Sequence, residues 1–477
     1  MFARLNKILV MSDCHKKILS ISQKFSPETN PTAIRSSKTL KYLPDAWQVH
    51  VLSGNQHAAL EGAQVHFVRS WLPEKLLNFI RFIKLGKLLD WFVWPDKDIF
   101  WLMPAVFKGV KIIKAYNIDL IVVFLKPYSA GIIGILLKWL TGKPLVINVC
   151  EPSTCDDLYA VFPTKLHYYL NRWLEDMYVR LSDAIIYVSQ LSLEQVRSRQ
   201  AQEQYSKFHL IRGGADPQDF QGIIGGSAVS DGFEIVFTGG MTGWEEFLPS
   251  SKQNFIKRLR HAWMNWGRYV KVNVNPASSS PIFIGRAIKR VIAQNPSWRG
   301  KIKLTLYGNR FEPALAVLEN QDLSDVVSVT GPIPYKDALQ KLQRANLLFM
   351  PLPDRMDGTP GERISLKTYE YLMTDRPILA AVPPGENRNY LSDKPGVYLV
   401  NPFDVEAMAQ VIEQLAIKHM AGETLIVDRV ETQRKISYYR RGDELATLVL
   451  DVLDRADNGK SCSGALVMES TTISSQR

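Results

Sequence analysis

Short runs rich in valine, isoleucine and leucine recur along the chain between stretches of helical spacing. The first series covers residues 8–11, 49–53, 120–124, 145–149, 184–188 and 209–212. A second series follows a glycine-rich break at 222–232 and covers 234–238, 303–307, 326–330, 347–352, 377–382 and 397–400. Runs without polar alternation suit strands covered on both faces, as in parallel sheets flanked by helices. The pattern therefore predicts an α/β protein made of two doubly wound parallel-sheet domains. Several strands of the second series run straight into glycine, at Gly239, Gly308 and Gly331. A tight turn there lets a ligand approach the strand's carboxyl end, where such folds place their sites.

The predicted division is an N-terminal domain at 1–222, a C-terminal domain at 223–430 and a last helix at 431–455. Leu445, Leu448, Val449, Val452 and Leu453 keep amphipathic spacing in that helix. Residues 456–477 are Ser/Thr-rich and are expected to be disordered. An insertion at 241–280, carrying Trp244, Trp263 and Trp266 among basic residues, is expected to form a surface helical hairpin.

Composition narrows the class. At 477 residues with 46% hydrophobic and 22% charged, the chain can bury a large core and is not a disordered one. The formal charge of +11 favours an anionic partner: a phosphate-bearing ligand, nucleic acid or an acidic membrane. Four scattered cysteines (Cys14, Cys150, Cys155, Cys462) make no disulfide framework and no structural zinc pattern, which points to a reducing compartment. The opening residues lack the charged start, apolar run and cleavage site of a leader, so a cytoplasmic location is expected. The most apolar helical stretch, 130–140, is interrupted by Lys138 and falls short of the roughly 20 residues a membrane span needs.

Candidate chemistry concentrates at Thr359-Pro-Gly-Glu-Arg-Ile-Ser-Leu-Lys-Thr-Tyr-Glu, where Glu362 and Glu370 stand eight residues apart. In one continuous helix they would lie about 12 Å apart along the axis and point in different directions. If instead Pro360-Gly361 is a loop and the helix starts near Ile364, the free N–H groups of Arg363 to Leu366 lie between the two acids. A helix start of that kind holds anions. A nucleoside-diphosphate sugar has the matching order: Glu362 would accept from sugar hydroxyls and Glu370 from the ribose. The bland alternative is a pair of ordinary helix-surface acids.

The surrounding residues are specific in their order. Residues 367–380 and the strand Leu347-Leu-Phe-Met-Pro-Leu resemble the donor-binding stretch of group-1 (family 4-like), retaining GT-B glycosyltransferases. The resemblance extends to 25–35, to Trp94-Pro-Asp96 with Trp101, to Gly142-Lys-Pro-Leu-Val, to 182–189 and to Ile211-Arg-Gly-Gly-Ala-Asp216 with Phe220, covering most of 7–455. It implies two Rossmann-like domains facing a cleft, with acceptor in the first and nucleotide sugar mainly in the second, and the last helix crossing back to the first. It also implies anomeric retention with no metal or other cofactor. Arg363 and Lys367 are the local cations. By the same likeness Ser365 and Leu366 would donate backbone N–H groups to the pyrophosphate, Gly239 and Gly240 would allow close approach of the donor, and Arg35 would belong to an acceptor-side loop.

This chain departs from the family pattern in three places. Gly240 is followed by the insertion rather than by an Arg and a Lys for the diphosphate; Arg286 or Lys252 are the possible substitutes. Asn30-Pro31 replaces the N-terminal glycine pair, and Cys150-Glu151 replaces an Arg-Asp. Glu151 is then either a catalytic or acceptor-side carboxylate or a surface acid, and Arg35 either a ligand residue or part of a structural ion pair.

Between Trp71 and Trp101, apolar residues interleave with Lys75, Arg81, Lys84 and Lys87. The segment is either a core-facing helix with a solvated basic side or one that lies on an anionic membrane surface. The expectation is a hexose-type transferase acting on a cell-surface glycan or its lipid-linked precursor, peripheral to the inner face of a membrane. The rivals are a nucleotide-sugar epimerase and a catalytically silent carbohydrate-binding relative. Nucleic acid is not an expected partner, because the basic excess is spread through two sheet domains. A dinucleotide oxidoreductase would need G-x-G-x-x-G after its first strand, and Ser12-Asp-Cys-His stands there instead.

Overall fold

A computed structural model describes residues 15–28, 30–72, 86–154, 161–221, 232–248, 266–308 and 313–472. The chain divides into two compact units: Met1–Thr154, Phe162–Arg212 and Tyr438–Arg477 form the first, and Cys155–Val161 with Gly213–Ser437 form the second. The change of unit thus falls at 212/213, ahead of the glycine-rich break, and the chain returns to the first unit at Tyr438.

The first unit holds a seven-stranded sheet. Its strands are β1 (Lys17–Ile21), β2 (Gln48–Ser53), β3 (Ala63–Phe67), β4 (Leu120–Leu125), β5 (Leu145–Val149), β6 (Ala184–Tyr187) and β7 (Phe208–Leu210). They are arranged in the order β3-β2-β1-β4-β5-β6-β7, and every adjacent pair is parallel. The run at 8–11, expected as the first strand, lies outside the described residues. The central strand is instead Lys17–Ile21, five residues introduced by lysines and carrying a serine, a pattern too short and too polar to stand out. The edge strand Ala63–Phe67 also escaped the pattern, because it alternates polar and apolar residues and is only partly buried. After Ile21 comes Ser22-Gln-Lys-Phe25, so the glycine fingerprint of dinucleotide binders is missing from the true first strand as well.

The second unit holds a six-stranded sheet. Its strands are β8 (Phe233–Thr238), β9 (Ile302–Tyr307), β10 (Val327–Gly331), β11 (Leu347–Pro351), β12 (Ile378–Ala381) and β13 (Val397–Val400). The order is β10-β9-β8-β11-β12-β13, again parallel throughout. Both sheets reverse their strand order once, between β1 and β4 and between β8 and β11. That reversal opens a crevice at the strands' carboxyl ends. β4, β5, β11 and β12 are buried along their whole length, as their unbroken apolar runs require.

Helices complete the layers. In the first unit, α1 (Pro31–Lys41), α2 (Leu102–Tyr116), α3 (Ser129–Thr141) and α4 (Lys165–Leu181) flank the sheet. The last helix, Tyr438–Thr472, buries Leu445, Leu448, Val449, Val452 and Leu453 in one cluster with Phe25, Leu40 and Trp47. Gly442 makes its approach possible, since a Cβ there would stand 2.0 Å from the Tyr42 carbonyl oxygen. Residues 456–472, expected to be disordered, continue this helix. Their polar composition bars a core of their own, but extending a helix already anchored avoids the cost of nucleation.

The described parts of the insertion are not a helical hairpin. They form short 3-10 turns, Glu245–Phe247 and Pro276–Ser279, and two-residue strands. Trp244 is buried in the core beside Ile282 and Phe237, so the segment is pinned inward from its start. Val274–Asn275 pairs antiparallel with Asp354–Arg355, which ties the insertion to the loop that follows β11. Trp266 is exposed, and Trp263 lies outside the described residues. Among the described residues no helix is long and apolar enough to cross a membrane.

One buried group makes stability sensitive to pH. His50 on β2 is fully buried and meets His66 on β3 through Nδ1···Nε2 at 3.1 Å, with the Tyr116 ring 4.3 Å away. Burial, then His66 and Lys17, push its pKa down from 6.5 to about 4; burial and Lys108 push His66 down too. The folded state thus favours the neutral ring. The stabilisation is complete above pH 6.5 and is lost as the pH falls towards 4. Urea unfolding is expected to show a steeper loss of stability between these limits in the wild type than in His50→Asn, and equal slopes would remove the assignment.

Candidate active site

The second unit gathers most of the residues singled out from the sequence. Gly239, Gly308 and Gly331 end the neighbouring strands β8, β9 and β10. The Gly239 N–H donates to the Tyr307 carbonyl at 2.6 Å, and that of Gly308 to Gly331 at 2.9 Å. A Cβ on Gly308 would stand 2.0 Å from the Gly239 oxygen, so the two turns touch backbone to backbone. Gly239 and Gly240 are exposed at this rim.

The helix α5 (Leu366–Leu372) starts two residues later than expected, with Ser365 as its N-cap. Lys367 reaches from it to the rim: its Nζ lies 5.3 Å from the Phe237 ring centre and would be 3.0 Å from a Cβ on Gly239. Burial lowers the pKa of Lys367 and Arg363 adds to the effect, while Glu370 opposes it. Glu370, one turn on, is buried and accepts from the Tyr335 hydroxyl at 3.0 Å. Burial pushes its pKa up; the Tyr335 bond and Lys367 act the other way, and Asp219 reinforces the rise.

Glu362 is 8% exposed, so it is not an ordinary surface acid. It follows Gly361, which is held from both sides: its N–H donates to Pro384 O at 3.0 Å and its carbonyl accepts from Glu386 N at 2.7 Å. Arg355, also buried, donates to Pro360 O at 2.7 Å and brings Nη1 to 3.7 Å from Glu362 Oε1. Asn387 Oδ1 accepts from Ser365 N at 3.2 Å and from Thr368 Oγ1 at 2.6 Å. Of the two backbone donors expected for a pyrophosphate, Ser365 is therefore occupied by a side chain in this conformation. Arg286 donates to Gln321 at 2.7 Å, and Lys252 lies outside the described residues.

The first unit places its candidates differently. Asn30 caps α1, its Oδ1 accepting from Ala33 N at 3.0 Å and its Nδ2 donating to Glu28. The Arg35 guanidinium is 5% exposed and bonds Asn148 Oδ1, Arg212 O and Ile211 O. It clamps the exit from β7, with carbonyl and amide oxygens in place of the ion pair or ligand considered from the sequence. Glu151 forms a 2.6 Å ion pair with Lys126, just beyond the carboxyl ends of β5 and β4. Nearby, Asp96 accepts from Ser129 N at 3.0 Å and from Ser129 Oγ at 2.8 Å at the start of α3. Burial raises its pKa to about 6; the Ser129 bonds pull down and Asp98 pushes further up. Among the described residues no three His, Cys, Asp or Glu side chains are gathered to hold a metal ion.

Sequence reasoning missed Arg355, Tyr335 and Asn387. Only Asn387 carried a signal, a glycine turn directly after a strand, at Pro383-Pro384-Gly385.

Comparison with known proteins bears on the family and the fold. The family description "Glycosyl transferases group 1" matches residues 277–417, and "Glycosyltransferase Family 4" matches 39–219. The chain belongs to the group 1, family 4-like glycosyltransferases. Among solved structures, a sucrose-phosphate synthase from Thermosynechococcus elongatus is 12% identical with a TM-score of 0.60, covering 92% of this chain and 100% of its own. HepE of Anabaena, solved with UDP and glucose, is 15% identical with a TM-score of 0.54, at 92% and 100% coverage. A glycosyltransferase from Rickettsia africae is 12% identical with a TM-score of 0.55, at 91% and 99%. At such identities these likenesses speak for the fold, which is GT-B. No curated protein matches the sequence.

In this glycosyltransferase the glycine rim is a packing constraint before it is a ligand surface. Gly308→Ala is expected to cost about 1–3 kcal/mol through overpacking against the Gly239 carbonyl. Urea unfolding measures it, and a change within a few tenths would show that the turn yields.

Proposed function

We propose that this glycosyltransferase is a retaining enzyme that moves a hexose-type sugar from a nucleoside-diphosphate donor to a glycan or lipid-linked glycan. The observation that carries the reading is Lys367 brought against Gly239 at the carboxyl end of β8, with Glu370 one turn on bonded to Tyr335 and Glu362 buried in the loop after β11. Rupture of the sugar–diphosphate bond builds negative charge on the leaving oxygen. Lys367, against Gly239, and Arg363 are the cations positioned to stabilise it as it forms. Glu370, already oriented by Tyr335, would hold the ribose hydroxyls, and Glu362 the sugar. The HepE complex with UDP and glucose supports this class of donor. Glu151, paired with Lys126 in the first unit, remains the proposed acceptor-side carboxylate. No metal is assigned a role in this scheme.

A lipid-linked acceptor is favoured by one surface of the first unit. Leu166, Tyr169 and Trp173 recur at helical spacing on α4 and are all at least half exposed. Phe92, 82% exposed, ends a short helix that His167 ties to α4 through the Trp91 carbonyl at 3.2 Å. Lys165 and Arg172 flank the stripe, giving aromatic rings and positive charge together, as suits an anionic bilayer surface. The basic stretch singled out from the sequence falls largely at 73–85, outside the described residues, so the proposal rests on α4 instead.

Transfer of radiolabelled sugar from UDP-, GDP- and ADP-sugars tests the donor assignment. Glu362→Ala is expected to lower kcat at least a hundredfold with an unchanged melting temperature, and Glu370→Ala to raise the donor KM about tenfold; wild-type turnover in the first variant would sink the assignment. Co-sedimentation with phosphatidylglycerol vesicles at low salt is expected for the wild type and weakened several-fold in Trp173→Ser. A protein left in the supernatant would remove the membrane proposal.

A further inference from the structure

A small pocket opens beside Glu362, walled by Leu352, Pro353, Pro383 and Pro384 and reached by Arg363 and Asn387. Neither Gly239 nor Lys367 lines it, while Arg363, the second cation of the diphosphate reading, does. Asn387 is only 3% exposed, and its orientation is settled by bonding: the Ser365 N–H requires an acceptor, so the oxygen faces Ser365 and Thr368. The Nδ2 group is then left buried, with no partner among the described residues. A buried donor in that state costs stability unless something fills its hydrogen bond.

Three carbonyls at and near the pocket are already engaged. Gly361 O takes Glu386 N, Pro384 O takes Gly361 N, and Val382 O takes Arg388 Nη1. Among the described residues no carboxylate lines the pocket. Its polar lining is the Arg363 and Asn387 side chains, set between apolar walls. Three of those walls are prolines, whose fixed φ resists collapse. A neutral hydroxyl would find donors alone there, whereas a group that only accepts would use both and gain from the low local dielectric.

We propose that this pocket receives an anionic substituent of the transferred sugar, of the class of a uronic acid carboxylate, so that the donor is a nucleoside-diphosphate uronate. The inference rests on the donor reading above and narrows it. Arg363 supplies the charge-assisted bond and Asn387 Nδ2 the second, while Glu362, between Gly361 and Arg363 in the chain, holds the neutral hydroxyls.

The test is titration calorimetry. UDP, GDP and ADP are screened first, and on the nucleotide that binds, the neutral hexose and its uronate are compared. The wild type is expected to bind the uronate at least tenfold more tightly. Asn387→Asp keeps the oxygen that accepts from Ser365 and Thr368 but replaces the donor by an acceptor, and the preference is expected to vanish. Arg363→Gln gives a second reading of the same loss should Asn387→Asp fail to fold. Equal affinity for both sugars, or a preference that survives in both variants, overturns the pocket and leaves the donor reading standing. If none of the three diphosphates binds, the donor reading falls and this inference with it.

Discussion

Two hydrogen bonds at Gly361 hold the loop after β11 against the turn after β12, and the candidate site is built outward from that junction. Gly385 sits at φ 144°, and a Cβ there would stand 2.3 Å from the Gly361 oxygen, so this meeting of two backbones is open to glycine alone. From the junction Glu362 leaves in one direction towards Arg355, and the chain continues to Ser365, where Asn387 receives the first turn of the helix. The antiparallel pair Val274–Asn275 with Asp354–Arg355 steadies the same loop from its other side. A long excursion that looks like an ornament in the sequence thus becomes part of the scaffold under the site.

The charges of the site are held at a cost. Lys367 and Glu370 lie three residues apart on one short helix, and burial presses each towards its neutral form. Each also favours the charged form of the other, a weak mutual support that a bound diphosphate and ribose would strengthen. Such opposed perturbation inside a crevice is typical of functional sites, whereas a purely structural pair would be better satisfied internally. The first unit shows that contrast. Arg199 is bonded at 2.6 Å to Glu175 and 2.8 Å to Asp176, and these acids raise its pKa against the effect of burial. Arg35 belongs with Arg199 in being fully occupied, although its sequence context suggested a ligand residue.

Much of the architecture was legible beforehand. Eleven of the thirteen described strands of the two sheets announce themselves as apolar runs, most clearly the central ones, because a strand covered on both faces has no polar face to show. Lys17–Ile21 failed that test although it sits at the middle of its sheet, since its length and flanking lysines describe its surroundings more than its burial. Ala63–Phe67 failed for the opposite reason, being a partly exposed edge. The helix through Thr472 was hidden because composition reports whether a segment can build a core, not whether it can extend a helix already anchored.

By itself the sequence determined the parallel α/β class, the strands that end in glycine, and the pair Glu362 and Glu370 bracketing a helix start, because periodicity and local turn chemistry are properties of neighbours in the chain. Tertiary structure alone decided that Arg355 stands by Glu362, that Tyr335 orients Glu370, and that Asn387 occupies the Ser365 N–H. These contacts join residues that are distant in sequence or lie on different elements, and no local spacing encodes them. It also decided that Arg35 spends its guanidinium on Asn148 and the exit from β7, since hydrogen-bond demand is settled only when a buried group meets the partners its fold brings to it.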